Sequence, residues 1–326
     1  MSGISDSFQR PISYLRVSVT DRCNLRCVYC VPPDGVSLVP RSEILSYEEI
    51  AMVVRVAAEV GISKVRISGG EPLIRAGLVN FIGMLSEIKG IDDISLTTNG
   101  VLLEEQAFEL AEAGLRRVNV SLDTLKRQNF ERITGYDRLS DVLKGIEQAR
   151  RADLNPVKIN VVVMRGVNDD ELLDFALLSR EGWNVRFIEL MPLVKDGKES
   201  PEFVSAKEMW DDISSLGELL PCPAPLGNGP ANYYQLAGAS GTIGFITPVS
   251  EHFCFKCNRL RLAADGKLLP CLLADEEVDL RPVLREDASP EEIRRLLLQA
   301  VASKPQGHRV KQGIVPQRRS MTQVGG

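Results

Sequence analysis

Apolar and polar residues alternate along six short runs, spaced some 25 to 40 residues apart between Ile12 and about Met191. A period of two is the signature of a strand. The runs are Ile12 to Thr20, Lys64 to Ser68, Asp93 to Thr98, Arg117 to Asp123, Val157 to Met164 and Asn184 to Met191. Between them apolar residues recur at helical spacing, over Tyr47 to Glu59, Leu78 to Lys89, Leu103 to Ala113, Leu125 to Ile133, Asp141 to Arg151 and Asp169 to Arg180. Six such βα units imply a parallel sheet.

The faces of these strands carry more information than their existence. Leu15, Val17 and Val19 share one face of the first, while Tyr14, Arg16 and Ser18 share the other. Val65 and Ile67 likewise oppose Lys64, Arg66 and Ser68; Ile94 and Leu96 oppose Ser95 and Thr97. Val118, Val120 and Leu122 oppose Asn119, Ser121 and Asp123, and Ile159 and Val161 oppose Lys158 and Asn160. A parallel strand covered on both faces reads as nearly continuous apolar sequence, so these strands have one polar face. The sequence therefore predicts an α/β fold: a partial (βα)6 TIM-like barrel over residues 1–193, with helices outside and a polar, ligand-filled concave face. The sixth strand, with Arg186 and Glu189 on opposite faces, does not reveal which way it turns.

From residue 194 the texture changes. Residues 221–232 are rich in proline and glycine, and alternation resumes weakly from Tyr233 to Ile246. Ser289-Pro290-Glu291-Glu292 opens a helix with an N-cap, a proline at N1 and early acids. A smaller C-terminal α+β module over residues 194–326 is expected.

A net charge of −5 over 326 residues, with 44% hydrophobic and 25% charged side chains, describes an ordinary globule and argues against a general nucleic-acid binder. An anionic substrate would need local arginines. No apolar stretch is long enough to cross a membrane, and the opening MSGISDSFQR lacks the apolar core of a secretory signal. A cytoplasmic, reducing setting is the expectation, with no nucleic-acid and no membrane partner. Only two histidines are present, His252 and His308, so histidine acid/base catalysis is poorly provided for.

Six of the seven cysteines fall into two tight groups, which suits metal ligation better than a disulfide framework. Cys23, Cys27 and Cys30 follow the first strand. Three thiolates can hold three irons of a [4Fe-4S] cluster and leave the fourth iron open; a structural zinc site wants four ligands, and no histidine lies nearby. Cys254, Cys257 and Cys271 form the second group, open to two readings: a zinc site completed by His252, or another three-cysteine cluster. Cys222, in Pro-Cys-Pro, reads as a loop residue. Active residues of βα folds gather at the carboxyl ends of strands. There the first cysteine loop would face Ser68-Gly69-Gly70-Glu71-Pro72, whose paired glycines allow close backbone approach.

The CxxxCxxC spacing resembles the radical S-adenosylmethionine (SAM) superfamily. The joint occurrence of V-T-D-R-C-N-L-R-C-V-Y-C, R-I-S-G-G-E-P-L, L-T-T-N-G, N-V-S-L-D, R-F-I-E-L-M-P, C-x2-C-N-R-L-R and a terminal Gly-Gly resembles the molybdenum cofactor biosynthesis protein A family of GTP 3′,8-cyclases, from about Tyr14 to Gly326. That resemblance implies two [4Fe-4S] clusters, on Cys23, Cys27 and Cys30 and on Cys254, Cys257 and Cys271. SAM would lie against Tyr29, Gly70, Ser121 and Met191. GTP would be held by Arg16, Arg66, Thr97, Lys158, Arg259 and Arg261, with Gly325 and Gly326 reaching into the site. The implied reaction is radical abstraction of the ribose C3′ hydrogen and closure onto guanine C8. It would need an electron donor, iron-sulfur assembly machinery and a downstream pterin-forming enzyme, and it leaves a homodimer open. The rival readings are another radical SAM enzyme, such as a peptide maturase, and a non-enzymatic zinc-binding module.

Overall fold

A computed structural model describes residues 3–32, 34–192, 202–227, 229–286, 289–316 and 319–325. Six parallel strands lie side by side in chain order: β1 (Tyr14–Ser18), β2 (Lys64–Ser68), β3 (Asp93–Thr98), β4 (Arg117–Ser121), β5 (Lys158–Arg165) and β6 (Asn184–Glu189). Their crossovers carry α1 (Tyr47–Glu59), α2 (Leu78–Ser86), α3 (Leu103–Glu112), α4 (Arg127–Thr134), α5 (Leu139–Arg151) and α6 (Leu172–Leu177). The run expected as one helix over Asp169 to Arg180 is α6 flanked by a 3-10 turn on each side.

Local chemistry fixes the element starts. Ser46 Oγ accepts from Glu49 N (3.1 Å) while the Glu49 carboxylate accepts from Ser46 N (2.6 Å), a reciprocal cap that satisfies two otherwise orphaned donors of α1. The helix then buries Ile50, Val53, Val54 and Ala57 against the sheet. The apolar faces expected from alternation, from Leu15 and Val17 to Ile159 and Val161, are all in this core. Burial of a side chain of this size stabilises by about 1.5–3 kcal/mol, so a one-residue slip of any strand, which would turn that face outward, is strongly disfavoured.

The segment beyond residue 201 contains β7 (Glu202–Phe203), α7 (Ala206–Ile213), β8 (Leu219–Pro221), β9 (Asn232–Leu236), β10 (Thr242–Ile246), β11 (Arg259–Leu262), β12 (Lys267–Leu269), β13 (Val278–Asp279), α8 (Arg281–Arg285), α9 (Pro290–Ala302) and α10 (Met321–Val324). It continues the sheet at both edges. β10 pairs parallel with β6 and leads to antiparallel β9 and β8; β11 pairs parallel with β1 and leads to antiparallel β12 and β13. β7 pairs with β5. The expected boundary at 193/194 lies outside the described residues. Among the described residues no helix is long and apolar enough to cross a membrane.

Register matters more for the site than element count. Arg261, Arg16 and Arg66 stand abreast on β11, β1 and β2. Thr97, Asn119 and Lys158 form a second row, and Ser121, Asn160 and Arg186 a third. Adjacent strands lie about 4.8 Å apart, so three guanidiniums are set side by side on one face. The direction of β6 is also resolved: Arg186 and Ile188 join the concave face. Glu189 points the other way, buried, and accepts from Ala206 N, Val249 N and Ser250 N.

Candidate active site

The concave face encloses a continuous cavity of about 1820 Å³, counting its open mouth. Both cysteine groups line it, although they are more than 220 residues apart in the chain.

Cys23, Cys27 and Cys30 are unpaired and partly buried. Their loop turns tightly, Cys30 N and Val31 N both donating to Cys27 O (2.9 and 3.0 Å). It is clamped from β2: Gly70 N donates to Thr20 O (2.6 Å) and Glu71 N to Arg22 O (2.8 Å). A Cβ on Gly70 would run into the Arg22 carbonyl group, 2.6 Å from its carbon, so glycine is required for this approach. Glu71, fully buried, accepts from Leu73 N, Thr98 Oγ1 and Asn99 N. Burial raises its carboxyl to about 7, against the pull of those donors. Asn99 Nδ2 donates to Asn24 Oδ1 (2.8 Å) and to Cys23 Sγ (3.8 Å), which also accepts from Leu25 N (3.4 Å). Tyr29 OH donates to Asp123 Oδ2 (2.7 Å).

The second group is built the same way. Leu273 N donates to Cys271 Sγ (3.4 Å) and Arg259 Nη2 to Cys257 Sγ (3.7 Å). Burial raises the Cys271 thiol, as it does those of Cys23, Cys27 and Cys30, the last to about 12. At Cys257 burial is overridden by Arg259 and Lys304, which bring the thiol down to about 7. His252 is exposed and stacks edge-on against His308, 5.4 Å between ring centroids.

These donor sets fit iron-sulfur clusters. Among the described residues no three His, Cys, Asp or Glu side chains converge closely enough to hold one metal ion, as a tetrahedral zinc site requires. Thiols that ring a shared cavity and receive N–H groups at sulfur suit a cubane, whose irons each take a separate thiolate and whose sulfurs accept hydrogen bonds.

Between the two cysteine groups lies the cationic floor. Arg16, Arg66, Arg186, Arg259 and Arg261 all line the cavity. Among the described residues none of them is in an ion pair. Burial, then Arg261, Arg66 and Arg259, hold the Arg16 guanidinium well below its usual range. Arg16 Nη2, Thr97 Oγ1 and Asn160 Oδ1 are buried with no hydrogen-bond partner. Such groups cost about 1–3 kcal/mol each when left unmade, and all three face the cavity.

The tail reaches the same cavity, Met321 and Val324 packing with Cys30 and Met191. Arg319 pairs with Asp265 and Glu277, and α10 follows, bringing Met321 and Thr322 to the cavity wall. Arg261 Nη1 donates to Gly325 O (2.8 Å). Gly325 has φ +71°, and a Cβ there would strike Ser68 Oγ. Gly326 lies outside the described residues.

Of the residues singled out in the sequence, Arg16, Cys23, Cys27, Tyr29, Cys30, Arg66, Gly70, Thr97, Ser121, Met191, Cys254, Cys257, Arg259, Arg261 and Cys271 all border this one cavity. Lys158 does not. Its ammonium donates to Pro225 O (3.1 Å) and Leu226 O (2.6 Å), in the segment that leads into β9. Sequence reasoning assigned no site role to Arg186, on the strand whose facing it left open, or to Glu71 and Asn99, which stand inside the R-I-S-G-G-E-P-L and L-T-T-N-G motifs; for Lys304 no sequence signal existed.

A parallel β/α sheet curved around a three-cysteine loop defines a class. Residues 17–178 match the radical SAM superfamily, and residues 183–310 match the molybdenum cofactor synthesis C domain. The GTP 3′,8-cyclases of Thermodesulfovibrio yellowstonii and Pelotomaculum thermopropionicum are each 51% identical, over 93% of this chain and 95% of the first relative, and over 99% and 100% for the second. That of Moorella thermoacetica is 50% identical over 99% and 100%. The chain belongs to the GTP 3′,8-cyclase family. Its fold is shared with native anSMEcpe with bound AdoMet (TM-score 0.59, 17% identity, 94% of this chain and 83% of that one). Streptococcus suis SuiB bound to precursor peptide SuiA is similar at TM-score 0.59, with 16% identity over 87% and 66%.

Proposed function

We propose that the chain is a cyclase that converts GTP to 3′,8-cyclo-7,8-dihydro-GTP in molybdenum cofactor biosynthesis. The observation that carries this reading is the row of unpaired guanidiniums lying between two cysteine triplets in one cavity. A triphosphate brings about four negative charges near neutral pH, and planar guanidiniums bind its oxygens in bidentate fashion. Arg16, Arg66 and Arg261 would take the phosphates, Thr97 and Asn160 would supply polar contacts, and Arg259 would lie nearest the second triplet. Lys158 would act from outside the cavity lining, its charge favoured once an anion neutralises Arg66 and Arg186.

Cys23, Cys27 and Cys30 would hold one [4Fe-4S] cluster, and Cys254, Cys257 and Cys271 a second. The chemistry that the first cluster would supply is one electron for reductive cleavage of SAM to a 5′-deoxyadenosyl radical, which would take the C3′ hydrogen; a second electron and a proton, from the electron donor and solvent, would complete the cyclised product. Tyr29, Gly70, Ser121 and Met191 would seat the SAM, with the Tyr29 ring fixed by Asp123. The Gly-Gly tail, held by Arg261, would close the site against water. The enzyme would work in the cytoplasm with an electron donor, receive its clusters from assembly machinery and pass its product to a pterin-forming enzyme. Residues 1–193 would form its radical SAM partial barrel and residues 194–326 the C-terminal module with the second cluster and the Gly-Gly tail, and a homodimer would be compatible with this.

The test is anaerobic turnover of the cluster-loaded protein with SAM, a strong reductant and GTP deuterated at C3′. Deuterium recovered in 5′-deoxyadenosine by mass spectrometry is the expected result. SAM cleavage without label would remove the GTP assignment, and intact SAM would remove the radical chemistry.

A further inference from the structure

Lys304 follows the last turn of α9 and is 3% exposed. Lysine is almost never buried unless its charge is compensated. No acid compensates it among the described residues; its ammonium donates to two backbone carbonyls, Arg259 O (2.8 Å) and Pro270 O (2.6 Å). Those carbonyls flank the second cysteine group: Arg259 lies two residues past Cys257, and Pro270 immediately precedes Cys271. One side chain therefore ties together the two arms that carry these thiols. The same segment reaches Cys254, because Arg10 Nη1 bridges Cys254 O (2.7 Å) and Gln306 O (2.9 Å) while its Nη2 takes Pro305 O (2.6 Å). Arg10 has Asp6 as its acid. Lys304 has none, and it borders the cavity.

We propose that Lys304 is a positioning residue for the second cluster: it locks the Cys257 and Cys271 arms in place and sets a positive charge against the cluster, raising its reduction potential. The proposal rests on the two-cluster reading above. A cubane with three thiolates is negative in both oxidation states and more so when reduced, so a fixed cation beside it stabilises the reduced form; net charge and hydrogen bonding around the sulfurs are what tune such potentials. The cluster in turn is the counter-charge that the buried ammonium otherwise lacks.

The experiment uses the full chain loaded anaerobically with iron and sulfide, comparing wild type, Lys304→Met, Lys304→Gln and Lys304→Arg. Iron per chain, thermal melting and the midpoint potential of the second cluster by titration with electron paramagnetic resonance are read. The second cluster is isolated by repeating the titration with Cys23, Cys27 and Cys30 replaced by Ser. Lys304→Met and Lys304→Gln should shift the midpoint to lower potential and speed loss of iron to a chelator, while Lys304→Arg, which keeps the charge, should shift it least. A neutral variant with full iron and an unshifted midpoint overturns the proposal. So does an equal shift in all three variants, which would mark a packing effect. If Lys304→Met melts early, Lys304→Gln, whose amide keeps N–H donors without the charge, decides. Wild-type protein with about four irons and one zinc, in place of about eight irons, would instead remove the two-cluster reading.

Discussion

Gly325 illustrates how one residue without a side chain can be demanded from several directions. Its φ of +71° is left-handed, its carbonyl is held by Arg261, and the place of its Cβ is occupied by Ser68 Oγ. Gly325→Ala would be strained locally by about 1 kcal/mol, but α10 packs in a small cluster apart from the main core. Global melting should therefore stay close to wild type, while a misplaced tail should lower kcat on the order of 10²-fold. Thermal denaturation and anaerobic turnover on the same preparation check this; unchanged kcat would mean that the tail only covers the site. The tail's reach was legible only through the family resemblance, because a Gly-Gly terminus read by itself frays. Gly70 was legible as a motif, yet the reason for it, the Arg22 carbonyl standing where a Cβ would be, is a contact between loops 48 residues apart. Lys304 gave no signal at all, since a lysine after a helix end is ordinarily solvated.

At the scale of elements, the strands of the half-barrel were readable because one face of each is apolar and the period is two. Helix α1 was readable from its apolar spacing over Tyr47 to Glu59, and the Ser46–Glu49 cap marks where it starts. The edges of the sheet were not. Arg259-Leu260-Arg261-Leu262 alternates as any strand does, but its partner, β1, lies about 245 residues earlier, and nothing local specifies a parallel pairing of that separation. That pairing creates the site's main electrostatic feature, Arg261 beside Arg16 beside Arg66. Like charges on adjacent strands destabilise, and a buried cation without a partner is costly. Arg16→Met should therefore leave the ligand-free protein as stable as wild type or more so, while GTP affinity falls by roughly tenfold to a hundredfold, the worth of one or two charged hydrogen bonds. Chemical denaturation together with equilibrium binding separates the two effects; a large loss of stability would mean that Arg16 is structural.

For the molecule as a whole, a chain of net charge −5 gathers five arginines that make no ion pair among the described residues around one cavity, and a cleft lined mostly by one sign of charge focuses the field on an incoming anion. Lys158 gives that arrangement a pH dependence. Burial, then Arg186, Arg117 and Arg66, lower its ammonium to about 6. In the unfolded chain a lysine titrates near 10.4, so between pH 6 and about 10 the unfolded state holds more protons and this group makes stability rise with pH. GTP bound beside Arg66 and Arg186 would offset their repulsion and raise the Lys158 value again. Binding near pH 7.5 should therefore take up a proton, and affinity should weaken as pH rises. Calorimetric titration of the cluster-loaded protein with GTP, in buffers of different ionisation enthalpy, measures that proton directly. Lys158→Met should abolish most of the uptake and flatten the pH dependence of affinity, while the guanidinium row keeps measurable binding. Proton uptake unchanged by the substitution would place the coupling on another group. No uptake in wild type would mean that the carbonyls of Pro225 and Leu226 keep Lys158 out of reach of the bound anion's field.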